Sequence, residues 1–515
     1  MIAAQTTEKR QRTLSPERVR LLLAIPTLAG SLDLTMITAF IAQVIFDLGI
    51  STGAGANILV VYLIAYTLGL FLAGRLSDFI GRRAAFGLAM LLYAAGSALI
   101  VASPVLGGLA LSQYTLILIG RAITGLGAGA VPAIAISTMC DLFPNPLRSI
   151  GIIGAVDVIG VLLGGLYGAL VVQVFPWRTL FIFSLIIALG ALVATYRALP
   201  AVRQARTGFD WLGALVLSAA LITFNLGISQ LERLTGDSAA LGEVLQYIGA
   251  ACAALLIFGV VEYAQRHRAP LLDVGIFGKA GVLPSLLISA LTSFSLFLML
   301  VGLPLLANVN ALGGLGLGAL LPPLRDETLQ GAALTAGGLL LLYSGALALF
   351  TAVGARVQER IGTRRTILLG LGVALIGFVG LGISVRGEIS AFVGIFSLLG
   401  GAGIGVVFSP IMAIPLTAAT SHGMIASFLL GVRMAAGSIV IASVTFLSEA
   451  RIRFLVSSLE ENHLPIQLPP EITYKSFVLA SQQMISELAL IAALIVLIAV
   501  LPTLFLKSAL PVERL

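Results

Sequence analysis

Charge is what this sequence has least of. Only 10% of its 515 residues are Asp, Glu, Lys or Arg, against 59% hydrophobic; a soluble domain carries about 25% charged residues. So few charges cannot cover a water-facing surface, which excludes a soluble globular chain. A bilayer removes that requirement, because lipid solvates apolar side chains. Cysteine is scarce too. Cys140 and Cys252 stand far apart in apolar stretches, which gives no sign of a disulfide framework and reads as two buried, inert thiols. The three histidines, His267, His422 and His463, are scattered over expected loops, so no cluster has metal-ligand spacing and neither a metal nor another cofactor is expected. There is no G-x-x-x-x-G-K-[ST] string, and the loops are too short for a catalytic domain. A self-contained ATP-driven pump and an enzyme are excluded on those grounds. The net charge of +7 sits in short loops without interleaved aromatics, which argues against a nucleic-acid partner.

Long apolar runs take the place of the missing charge. A helix needs about 20 apolar residues to cross a ~30 Å hydrocarbon core. Runs of that size lie at 21–46, 55–74, 84–106, 112–140, 149–173, 179–197, 211–231, 244–262, 281–307, 331–353, 366–385, 389–417, 423–448 and 485–506. The expected fold class is therefore an all-α integral membrane protein of about fourteen spans. The 57 glycines fit, since membrane helices pack through small residues. Residues 1–20 are polar and basic; the run after them is long, contains Asp33 and lacks an A-x-A site. It reads as a first span and not as a cleavable signal.

Lys and Arg set the orientation. With an inside N-terminus and strict alternation, inside segments hold 21 of the 30 basic residues and outside segments 7, with Arg121 and Arg433 inside spans. That asymmetry places both termini in the cytoplasm of a multi-pass protein of the cell membrane. The longest outside loops are 308–330 and 449–484.

The chain also echoes itself. GRLSDFIGRR (74–83) follows the second run and GARVQERIGTRR (354–365) the tenth. Each has a glycine at the membrane exit, an acidic residue, Ile-Gly and paired arginines. The two sets of six spans thus read as parallel repeats: a bundle over 21–198, a linker and two-helix insert over 199–280, and a second bundle over 281–506, with polar tails at 1–20 and 507–515.

GRLSDFIGRR resembles the signature loop of the major facilitator superfamily. SLDLT (31–35), LILIGRAITGLGAG (116–129), DLFPNPLRS (141–149), FDWLGAL (209–215) and SFLLGVRMAAGS (427–438) resemble its fourteen-helix drug–proton antiporter branch. The resemblance covers most of residues 20–450. It implies the major facilitator fold and a loop that stabilises the outward-facing state. The loop's parts are Gly74, Asp78, Gly81, Arg82 and Arg83, with Asp141 and Arg148 bracketing the next loop on that side. Glycines permit tight backbone at the exit, and Asp78 is placed to bond guanidinium groups that anchor on the same side.

Four ionisable groups lie inside spans, where each is expensive and faces the bundle interior by default. Arg121 resembles the family's arginine implied in proton coupling. Asp33 is its natural partner. At 1.5 Å per residue it lies roughly 20 Å along its span from Arg20, and Arg121 roughly 14 Å from Ser112 on the opposite side; in a ~30 Å core these depths nearly coincide. Asp157 lies roughly 12 Å into the fifth span. Arg433 is the deep basic group of the second half, able to neutralise Asp157 or to meet an anionic substrate. A static structural pair is the plainer reading of each.

Gly160, Gly164 and Gly168 form one stripe for close helix packing. The proline usual in the family's fifth span is Gly165 here, and Ala42 stands near the place of another. The expected function is proton-coupled export of lipophilic or amphipathic small molecules by alternating access. The expected partners are a small-molecule substrate, protons and the lipid bilayer, and the expected state is a monomer. Two alternatives remain: an exporter or facilitator of a specific lipid, sugar or peptide metabolite, and a non-transporting receptor or scaffold on the same fold.

Overall fold

The computed structural model describes residues 16–50, 52–108, 111–143, 147–199, 208, 210–230, 240–265, 272, 274–308, 326–385, 391–418, 422–437, 439–440, 444 and 470–506. The residue ranges 1–15 and 507–515, and most of the two long outside loops, lie outside that set. The described part is helical almost throughout. Its helices follow the apolar runs in order: α1 Pro16–Thr35, α2 Ile41–Leu48, α3 Thr52–Ile80, α4 Arg82–Leu106, α5 Gln113–Leu142, α6 Leu147–Val172 and α7 Arg178–Ala198. The hairpin α8 Trp211–Ser229 and α9 Ala240–Ala264 comes next. Then follow α10 Val282–Asn308, α11 Asp326–Ile361, α12 Thr363–Ser384, α13 Ala391–Ala418, α14 (422–437) and α15 Pro470–Leu504. Among the described residues, 10 helices are long and apolar enough to cross a membrane, or 11 if the bent α6 counts as one span. The polar first span and the short α8 fall below that test.

Two boundaries differ from expectation. α11 begins at Asp326 and α15 at Pro470, so part of each long outside loop is helix. Both extensions carry Glu, Gln, Lys or Thr, which interrupt the hydropathy signal without interrupting the backbone hydrogen bonds.

Glycine dictates how each half closes. A Cβ on Gly125 or Gly129 of α5 would lie 2.8 Å from the Tyr62 carbonyl oxygen or 2.0 Å from that of Tyr66, both on α3, and one on Gly127 would lie 2.5 Å from the Ala89 carbonyl of α4. α13 repeats the pattern. A Cβ on Gly401 or Gly405 would lie 2.0 or 2.3 Å from the Tyr343 or Leu347 carbonyl oxygen of α11, and one on Gly403 would lie 2.2 Å from the Ala374 nitrogen of α12. Each of these helices is thus wedged between two others at backbone contact, in the same register in both halves. The turns repeat as well: Gly81 and Gly362, before α4 and α12, have φ of +91° and +82°, a region that favours glycine.

Gly129→Val is therefore expected to destabilise the protein by about 2 kcal/mol through overpacking. Gly190→Ala, where an added Cβ meets nothing within 4 Å, is expected to leave stability unchanged. Thermal unfolding in detergent checks both.

The stripe on α6 packs against the first span. A Cβ on Gly160, Gly164 or Gly168 would lie 2.5 Å from the Ser31 Cβ, 2.1 Å from the Thr35 Oγ1 or 2.3 Å from the Met36 carbonyl. Beside this contact both helices break. α6 bends by 51° between Ser149–Val161 and Leu163–Val172, inside the glycine stripe and ahead of the place of the family's proline. The first span passes through a 3₁₀ segment, Met36–Ala39, between α1 and α2, the kind of mid-helix change that marks a hinge.

Candidate functional site

The first span divides the buried charges into two groups. Ser31 and Asp33, two residues apart on α1, point to different neighbours. Asp33 is 1% exposed; its Oδ1 accepts a 2.9 Å bond from Ser184 of α7, and Tyr93 of α4 stands beside it. Arg121, on α5 and fully buried, faces the same chamber. Its guanidinium lies 3.7 Å from the centroid of the Tyr62 ring. It donates to the backbone carbonyls of Ile58 and Asp33, each at 3.4 Å. The two charges are thus neighbours as their depths imply. The arginine nevertheless bonds the main chain of Asp33, and among the described residues they form no ion pair within 4.0 Å. Cation–π contact with Tyr62 supplies much of what the carboxylate would otherwise provide.

Ser31 turns the other way and donates to Asp157 Oδ1 of α6 at 2.6 Å. Tyr66 of α3 donates to the same oxygen at 3.4 Å. Asp157 is 4% exposed and Arg433 6%. Arg433 stands on α14, in the second half, within electrostatic reach of Asp157. Its guanidinium lies 4.5 Å from the Phe408 ring centroid. The Tyr62 and Tyr66 rings, 6.0 Å apart, join the two groups along α3. The four intramembrane charges therefore fall into an inner pair within the first half, Asp33 and Arg121, and a second pair, Asp157 and Arg433, divided between the halves.

Arg433 lines a pocket with Ser289, Thr292 and Ser293 of α10 and Phe408 and Met412 of α13. Its volume of about 20 Å³ leaves room for about one water, far below the ~300–1,000 Å³ of a ligand pocket.

At one end of the bundle the signature loop grips the second half. Arg82 pairs with Asp78 at 2.7 Å and with Asp141 at 2.7 Å, and it also bonds Ser77. The second oxygen of Asp141 meets His422 Nδ1 of α14 at 3.0 Å. The backbone makes the seam close. A Cβ on Gly74 would lie 1.9 Å from the Gly423 carbonyl, and one on Gly423 would lie 2.5 Å from Arg82 Nη1 and 2.8 Å from Asp78 Oδ1. Arg83 turns away, bonding the Tyr196 carbonyl and stacking on that ring. Arg148 is the second residue of α6, and its side chain lies outside the described residues.

Two expectations need correction. His422 is not a solvated loop residue: it starts α14 and ties it to Asp141. Its position just before a span was the available signal. Cys252 is exposed on α9, facing outward into the lipid zone, and Cys140 is half-buried; neither is a fully buried core thiol. Sequence reasoning also missed Ser31, Tyr62, Tyr66, Ser184 and Tyr343. Neutral polar residues in a span carry no hydropathy penalty large enough to mark them.

The family model of the Major Facilitator Superfamily matches residues 23–442. The chain belongs to that superfamily. This major facilitator protein is 27% identical over 432 residues to a triacylglyceride transporter of Mycolicibacterium smegmatis, covering 80% of this chain and 72% of that one. It is 30% identical over 224 residues to multidrug resistance protein 3 of Bacillus subtilis, covering 42% and 41%. Among solved structures, a proton:xylose symporter of the superfamily superposes with a TM-score of 0.53 at 16% identity, covering 94% of this chain and 95% of that one. The fold is thus the major facilitator fold, and the protein is a multi-pass membrane transporter.

Proposed function

We propose that this transporter exports amphipathic or lipophilic small molecules in exchange for protons, by alternating access, with both termini in the cytoplasm. The observation that carries the reading is a buried carboxylate on one half and a buried arginine on the other within electrostatic reach of each other: Asp157, held by Ser31 and Tyr66, and Arg433. A proton on Asp157 removes its attraction for Arg433, so protonation biases how the halves sit against each other. Asp33 is the second carboxylate able to carry a proton, next to the hinge of the first span. With the basic-residue asymmetry setting orientation, the closed signature-loop end is the cytoplasmic one, and this conformation is the outward-facing or occluded member of the cycle. The two sequence relatives, a multidrug resistance protein and a triacylglyceride transporter, suit a lipophilic cargo.

Purified protein in proteoliposomes with an imposed pH gradient tests the reading. Against a panel of lipophilic cations, acyl lipids and sugars, uphill movement of at least one lipophilic solute is expected, collapsing when the gradient is dissipated. Lipophilic flux at the same rate with and without the gradient would end the exchange mechanism.

A further inference from the structure

The two-helix insert takes no part in exchanging protons for solute, yet it sits at one particular line of the bundle. α8 lies against α3 of the first half, on the flank of the seam that the signature loop closes. Leu217 and Leu221 of α8 share one buried apolar cluster with Leu272, in the linker after α9, and with Met424 of α14. Leu68 and Leu72 of α3 pack against the same cluster. The hairpin and its exit linker thus join α3 of one half to α14 of the other.

Lipid is as apolar as leucine, so burial alone does not hold a helix in one place within a bilayer; close packing and polar bonds do. Both are present here. Phe71 of α3 seats its ring where α14 has Gly431: a Cβ there would lie 2.2 Å from Phe71 Cζ. Phe428 of α14 meets the Phe71 ring edge-on at 6.1 Å and the Phe277 ring, just before α10, at 5.7 Å. Polar bonds fix both ends of the hairpin. Arg75, inside the GRLSDFIGRR string, donates to the Gly208 carbonyl just ahead of α8 at 3.5 Å. Asp210 caps α8 by accepting from the Gly213 N–H at 2.8 Å. Glu262, near the end of α9, accepts from the Leu272 N–H at 3.0 Å, which folds the exit linker back onto the hairpin.

We propose that the insert is a strap on the α3–α14 seam. α8 and the exit linker hold α14 to α3, and the signature-loop end opens only when that packing is given up. The cluster draws its members from α3, α8 and α14, so the halves cannot part along this line while it stays whole. The strap acts beside the ion pairs of Arg82: they close the end of the seam, and the hairpin closes its flank. The inference rests on the halves moving, as the exchange mechanism requires.

The test is thiol alkylation of the full-length protein in membranes, with Cys140→Ser and Cys252→Ser as background. Ser427→Cys reports on the seam, where Ser427 of α14 is buried. Ser486→Cys, buried where α15 bonds the Gly382 carbonyl of α12, reports general loosening. Leu217→Ala with Leu221→Ala is expected to raise alkylation at Ser427→Cys about fivefold and to leave Ser486→Cys unchanged, because the truncation forfeits packing in the closed form alone. Leu212→Ala with Leu215→Ala makes the same truncation on the outward side of α8, where those side chains are 52% and 68% exposed, and is expected to change neither. Leu217→Ala by itself keeps the test open should the pair fail to fold; a smaller rise in the same direction is expected. Met424→Ala attacks the cluster from α14. Combined with the α8 pair it is expected to raise the rate less than the product of the separate effects, since residues of one cluster couple. Unchanged labelling at Ser427→Cys, equal rises at both reporters, an equal effect of the outward pair, or fully multiplying rates overturns the strap. Faster seam labelling in a protein that moves no solute supports the strap and removes the transport reading, so the two fail separately.

Discussion

Asp33→Asn is expected to reduce gradient-driven flux about 100-fold while leaving downhill exchange within about threefold of the parent, since only the steps that move a proton depend on the carboxyl. Asparagine keeps an oxygen that accepts from Ser184, and Arg121 keeps its contacts with the Tyr62 ring and the two backbone carbonyls. The chamber therefore retains its shape and loses only its exchangeable proton and its negative charge. The neighbouring charge has a cost: Arg121 stays buried with no anion nearby, and a fall in melting temperature is expected beside the loss of coupling. Asp33→Glu separates the two effects. It restores a titratable group and is expected to recover a measurable part of the driven flux. The assay is solute movement in proteoliposomes with and without a pH gradient. If Asp33→Asn were driven as well as the parent protein, Asp33 would be a structural hydrogen-bonded carboxylate and Asp157 would have to carry the proton alone.

The fold was legible because its signals are long-range and additive. Apolar runs, the basic-residue asymmetry and the paired glycine turns each survive errors of a few residues at any one boundary. The Gly-x-Gly-x-Gly strings at Gly125–Gly129 and Gly401–Gly405 were visible as repeats, but which backbone each meets was not. That depends on how α3 and α4, or α11 and α12, flank the wedge. The buried charges were legible one by one because charge is rare in a span. Their grouping was not, because it turns on helix rotation: Ser31 and Asp33 are two residues apart and face different chambers. Depth along a helix placed Asp33 level with Arg121. Only the rotamer decides that the guanidinium takes a carbonyl in preference to the carboxylate. Neutral donors such as Tyr343 and Ser184 left no trace in hydropathy. Nor did the bend in α6, which falls between Val161 and Leu163, within the Gly160–Gly168 stripe that packs against α1 and the 3₁₀ segment.

Loosening the signature-loop seam is the other large effect. Asp78 and Arg82 form an ion pair whose side chains are each 10% exposed, and Arg82 simultaneously holds Asp141, which in turn holds His422 on the second half. Asp78→Asn leaves Arg82 short of one carboxylate at a nearly dry seam. Removing one partner of a buried pair costs roughly 3 kcal/mol; because Asp78, Arg82 and Asp141 all lie on the first half, only the share of that cost that loosens Asp141 from His422 reaches the ratio of closed to open forms, about tenfold. Ser427 reports it. Its hydroxyl is buried at the seam, and a Cβ on Gly74 would lie 2.3 Å from it, so a thiol there meets reagent only when α3 and α14 separate. With Cys140→Ser and Cys252→Ser as background, Ser427→Cys is expected to alkylate slowly in membranes and about tenfold faster once Asp78→Asn is added. Gly423→Val opens the same seam by steric means, with every charge intact, and is expected to raise the rate as well. If the steric change accelerated labelling and the charge change did not, the ion pairs would be passengers on a glycine-closed contact. If neither did, the seam would be a fixed joint, and the two halves would have to move about some other line.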